Sequence, residues 1–182
     1  MPLPKLTDGQ IASVSRQVAG YIDTQRQTYR PRAVPLDRNQ KTAVQSFFPA
    51  ATLDSARVVV LAGERIGNPP FYGELIKMGF ALASLPDFAQ MAAITYVDTV
   101  VLHEPFTGRV LFHELVHVLQ YEKLGLEQFA AKYVSGFLKG GSYEAIPLEM
   151  NAHELDARFA AAPTKPFSVA NEIQAWMQGG RF

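Results

Sequence analysis

Between Val110 and Tyr121 the chain is apolar except at four places, and three of them, His113, Glu114 and His117, form the pattern H-E-x-x-H. Val110, Leu111, Leu115, Val118 and Leu119 recur at helical spacing, which predicts a largely buried helix over about 107–121. On such a helix two imidazoles and a carboxylate are costly unless they find partners. His113 and His117 stand four residues apart, so their rings leave the same face one turn apart and can chelate a single cation. Glu114 points about a quarter turn away, out of the ligand set but within reach of a water on the metal. This chain's own His and Glu frequencies give the pattern about a 1-in-200 chance of arising by accident.

Cysteine is absent, so thiolate sites, disulfides and a cysteine nucleophile are all excluded, and a metal must be held by His and carboxylate. Zinc held by two His in a hydrolase takes a third protein ligand and leaves the fourth position to water. A third His from the short metzincin extension is ruled out, because Gln120 and Lys123 stand where that pattern needs Gly and His. The remaining candidates are Glu144, Glu149, His153, Glu154 and Asp156. Glu149 is preferred. It follows Pro147 near the start of a helix, and Ala152 is small enough to let that helix approach the first one. His153 falls one turn later, where it can support a ligand, and Glu154 or an all-His set using His153 are the alternatives.

Elsewhere, Thr7 with Gln10 reads as a capping box for an amphipathic helix over about 8–29. A short rigid connector (31–35) follows, then a second helix from about Asp37 to Phe48. Arg57–Ala62 reads as a buried strand, and 92–103 as one or two strands with Asp98-Thr99 as a turn or bulge. Further helices are predicted over 127–138, from Pro147 to about Ala161, and from Ser168 to Met177, with Trp176 and Phe182 packing the last one down. His103 reads as a hydrogen-bonded surface residue.

The class is therefore α+β, a small sheet with helices dominating the second half. With 182 residues, 48% of them hydrophobic, a single domain is expected over 1–182: a metal-site core at about 90–160 with the N-terminal helices (8–48) packed on it. Lys plus Arg (17) balances Asp plus Glu (17), so no global field favours nucleic acid or an anionic membrane. No glycine pattern matches a phosphate loop. Met1-Pro2-Leu3-Pro4-Lys5 opens a polar stretch without the apolar core of a signal peptide, and no run spans a bilayer; cytoplasmic residence is the default expectation, with specialised export leaving no trace. Oligomeric state is not encoded in these patterns.

Three segments carry a resemblance: Ala93–Val101 before the motif, His113–Gln120 containing it, and Ile146–Glu154 after it. Over about 90–160 the chain resembles the gluzincin metallopeptidases, in particular small single-domain minigluzincin-like and toxin-associated zinc metallopeptidase domains. That resemblance implies a zincin-like fold, with an edge strand over the active-site helix along which an extended peptide can lie. It implies Zn²⁺ on His113, His117 and Glu149, with Glu114 as the base that activates water. Four residues beyond Glu149 the family's usual supporting carboxylate is replaced by His153. For the oxyanion donor, often Tyr or His in such enzymes, the candidate is Tyr143, with Tyr133 behind it. A zinc-dependent hydrolase acting on peptide or protein substrates is the resulting expectation; the alternative is a catalytically degenerate zincin-fold binding or accessory module.

Overall fold

In the computed structural model residues 3–105 and 108–182 are described; Thr107, where the motif helix is expected to begin, and Met1-Pro2 lie outside them. The fold is α+β, a four-stranded mixed sheet flanked by helices. The strands are β1 (Val34–Pro35), β2 (Arg57–Val60), β3 (Ala93–Tyr96) and β4 (Thr99–Leu102), in the order β1-β2-β4-β3. β2 and β4 are parallel, while β1 on β2 and β3 on β4 are antiparallel, so β3 is an edge. All four residues of β4 are buried, as a continuous apolar strand covered on both faces must be. Val58, Val100 and Leu102 face one core, with helix α5 (Gly108–Leu124), and Val59, Val101 and Tyr96 face the other.

Helix α1 (Asp8–Tyr29) starts at the Thr7–Gln10 capping box and packs on β3 and on α6 (Leu126–Gly140). Its C-terminal end pins the β3–β4 turn. Arg26 makes two hydrogen bonds of 2.8 Å to Asp98, and Arg30 adds a 2.7 Å ion pair. Those cations hold a turn in which Val97 takes φ 60, a conformation that opposes a β-branched side chain. The turn is thus Val97-Asp98, one residue earlier than the Asp98-Thr99 expected from sequence.

The expected second helix is shorter, α2 (Arg38–Val44) from an Asp37–Gln40 capping box, because Phe47 and Phe48 turn into the core against Phe112. Sequence reading passed over β1, inside the presumed connector, and the short helices α3 (Ala50–Ser55) and α4 (Tyr72–Lys77). None is long enough to display a period.

Helix α7 (Pro147–Ala161) crosses α5, with Phe112 and Phe159 stacked at 4.3 Å and Ala152 fully buried. Gly136 of α6 fixes the start of α7: a Cβ there would stand 2.6 Å from Pro147 Cδ, so only glycine permits this approach. Glu149 lies two residues beyond that contact. Helix α8 (Val169–Gln178), capped by Ser168, closes the far side, with Trp176 buried. No described helix is long and apolar enough to cross a membrane.

Candidate metal centre

α5 and α7 bring His113, His117 and Glu149 together. The two Nε2 atoms lie 3.1 Å apart, and Glu149 Oε2 is 3.4 Å from that of His113 and 3.3 Å from that of His117. All three side chains are buried. Ligands at about 2.0–2.1 Å from a tetrahedral zinc are necessarily about 3.3 Å from one another, so the triangle has the dimensions of three corners of such a site.

The neighbouring hydrogen bonds decide what these atoms carry. Asp156 Oδ2 lies 2.8 Å from His113 Nδ1 and accepts its proton, while Asp156 Oδ1 is held by Arg109 Nε at 2.8 Å. Gln120 donates its amide hydrogens to Leu148 O and Asn151 Oδ1, both at 3.0 Å, which turns its Oε1 to His117 Nδ1 at 2.9 Å. Both imidazoles therefore keep their proton on Nδ1 in the neutral form and aim an Nε2 lone pair inward. Glu149 Oε2 faces them without a hydrogen-bond partner among the described residues. A buried carboxylate oxygen left unpaired costs several kcal/mol (about 1–3 even for a neutral group). Three convergent donor atoms of this kind could hold a metal ion, and two imidazoles with one carboxylate suit zinc or a neighbouring first-row ion.

Without a metal, protons do this work. Burial opposes a charge on His113, but Asp156 and Glu149 outweigh it and raise the pKa from 6.5 to about 10. His117 is raised too, with burial opposing and Glu149 pulling it up. Against the same burial, the two imidazoles hold the Glu149 carboxyl below its ordinary value. The metal-free fold therefore draws stability from the His113 proton that is complete below pH 6.5 and lost as pH rises through about 10. Zinc binding at these atoms would run the opposite way, since a metal would have to displace that proton. Calorimetric titration with zinc at pH 7, in buffers of different ionisation enthalpy, is expected to show release of about one proton or more per ion. Uptake without proton release contradicts the raised His113 pKa.

Glu114 stands apart from the triangle. Its Oε2 accepts a 2.7 Å hydrogen bond from Thr95 Oγ1, and no described residue donates to Oε1. Thr95 lies opposite Val100 in the β3–β4 register, on the sheet face turned toward α5, which is why the edge strand reaches this carboxylate. Tyr143 lies half-buried in the segment before α7, its ring edge-on to that of Tyr133 at 6.4 Å. Burial, with the charges of Glu149 and Glu114, pushes its pKa well above 10, so the phenol remains a donor.

Other expectations resolve differently. Glu144 and Glu154 are exposed, Glu154 pairing with Arg181, and neither joins the triangle. His153 does not carry the support expected of it; Asp156, one turn further along the same stripe of α7, orients His113 instead. His153 Nδ1 itself lies 3.4 Å from Asp156 Oδ2. His103 is buried rather than on the surface: it accepts the Ile66 N–H on Nε2 (3.0 Å) and contacts Met91 O through Nδ1 (2.6 Å), tying the loop after β2 to the segment before β3. Thr95, Gln120 and Arg109 were given no role at the site by the sequence. A signal existed for Gln120, three residues after His117 on a buried helix, and for Asp156, seven after Glu149 on one helical face.

The centre borders an apolar cavity of about 130 Å³, to whose wall Glu114, His117, Tyr143 and Glu149 contribute. Val14 and Val18 of α1, Phe80, and Phe137 of α6 are among the apolar residues that line it. Its size is close to that of a cavity that accepts a benzene ring, about 150 Å³.

No protein-family model matches the chain, and neither the search of curated proteins nor that of solved structures returns a match.

Proposed function

We propose that this chain is a zinc-dependent peptide hydrolase of the gluzincin type. The observation that carries the reading is the convergence of two imidazole nitrogens and one carboxylate oxygen, 3.1–3.4 Å apart, with a second carboxylate, that of Glu114, beside them. In this reading His113, His117 and Glu149 hold the ion. Zinc bound there would supply a Lewis acid and lower the pKa of water from 15.7 to about 7.

The protein's own residues do the rest. Asp156 and Gln120 keep each Nδ1 proton in place, so both Nε2 lone pairs stay directed inward. Glu114 takes the proton of the attacking water at Oε1 while Thr95 holds Oε2, then passes it to the departing amine nitrogen. Tyr143, kept protonated, donates a hydrogen bond to the oxygen on which negative charge develops. The cavity excludes water and receives one large apolar side chain next to the scissile amide. Substrate backbone adds to β3, whose outer edge is not paired with another strand among the described residues.

The test is cleavage of a mixed peptide library by zinc-loaded protein, read by mass spectrometry. Cleavage next to large apolar residues, stopped by a chelator and restored by zinc, is the expected result. Stoichiometric zinc without any cleavage replaces this reading with that of a degenerate accessory module.

A further inference from the structure

Buried donors raise a question of access: a hydrated cation must shed its waters to reach atoms that solvent scarcely touches. His117 and Glu149 have side chains only 7% and 4% exposed, and His113 11%. His153 is 51% exposed and sits one turn beyond Glu149 on the same face of α7. Its ring lies 4.5 Å from that of His113, centroid to centroid. Ligand atoms of His113, Glu149 and His153 all fall within 4.8 Å of one another. The chain thus carries two overlapping triads that share His113 and Glu149. One is buried and closes on His117; the other opens to solvent at His153.

Asp156 ties the two together. The same Oδ2 that accepts from His113 Nδ1 lies 3.4 Å from His153 Nδ1, so an Nδ1 proton on His153 points at the carboxylate and its Nε2 lone pair is free for a cation. The inner triad, at 3.1–3.4 Å, has the spacing of a tetrahedral ion, and the outer one closes to within 4.8 Å. An exposed imidazole changes rotamer on the picosecond-to-nanosecond scale, so His153 can follow a cation inward and release it.

We infer that His153 is the loading ligand of the centre: a divalent transition cation is first taken by His153 with His113 and Glu149, then passes to His113, His117 and Glu149. The inference rests on the metal-centre reading above and extends it to how the ion enters and leaves. His153 holds the ion only in transit, so it changes both rates and not the equilibrium.

The experiment compares wild type with His153→Ala by stopped-flow zinc uptake from a fluorescent indicator and by chelator-driven release. Both rates are expected to fall about tenfold or more while the Kd stays within about threefold, because a group that binds only in transit lowers the barrier in both directions. Unchanged rates overturn the inference. So does a faster release with unchanged uptake, which is the signature of a resident fourth ligand. X-ray absorption of the zinc-loaded wild type gives a second measurement that needs no variant: two imidazoles are expected, and three overturn the loading role. Loss of zinc binding in Glu149→Gln with unaltered rates in His153→Ala sinks the loading step alone; retained binding in Glu149→Gln sinks the metal centre and the loading step together.

Discussion

Glu114→Gln is expected to keep one zinc per chain and to lose peptide cleavage by about 10²–10⁴-fold, the usual contribution of a positioned general base. The substitution is isosteric, and the amide oxygen can still accept the Thr95 hydroxyl that now reaches Glu114 Oε2 at 2.7 Å, so fold and site geometry persist. What disappears is a proton acceptor at the other oxygen. Because Glu114 is not among the three atoms that face one another at 3.1–3.4 Å, its charge is not needed to hold the ion in place. Metal content by elemental analysis and turnover on a cleaved library peptide check both halves of the result. Loss of zinc along with activity makes Glu114 a ligand; retained activity removes it from the mechanism.

The second large effect falls on affinity. Glu149→Gln is expected to weaken zinc binding by on the order of 10³-fold, beyond the 10–100-fold cost of losing a supporting residue. The carboxylate supplies both a donor atom and the only negative charge in the triangle, and an amide nitrogen turned inward would fill the space with hydrogens. Glu154→Gln is the control, because Glu154 is exposed and pairs with Arg181 outside the site; its zinc affinity should match wild type. Competition titrations against a chromophoric chelator measure both. Equal losses in the two variants, or none in either, contradict the assignment of Glu149.

Most of the helices were legible in the sequence, because each carried a local signal that tertiary contacts later reinforced. Thr7 with Gln10 and Ser168 before Val169 mark helix starts by hydrogen bonds made within one turn, and Pro147 marks one by its fixed φ at a first turn. His113, Glu114 and His117 were readable for the same reason, since four-residue spacing on a helix sets their relative directions without help from the rest of the fold. Short elements escaped: two residues of β1 and six of α3 or α4 fall below two full periods of their patterns, so nothing recurs. His103 was misplaced because nothing nearby in sequence announces that Ile66 and Met91 will close over it.

Local sequence alone determined where the chain turns helical and which face of α5 presents two imidazoles, since both depend on contacts within about four residues. It also narrowed the third donor to a handful of groups on one later segment. Selecting among them took the tertiary structure. Gly136 admits Pro147 so closely that α7 begins in a single position, and that position turns Glu149 inward while Glu144 and Glu154 stay in solvent. The supports were decided the same way: Asp156 at His113 and Thr95 at Glu114 are paired across 43 and 19 residues, and Gln120, a neighbour of His117 on α5, is turned to it by Leu148 and Asn151 of α7. Side-chain hydrogen bonds form at about 3 Å, and which groups come that close depends on how α5, α7 and β3 pack, a distance that sequence separation does not encode.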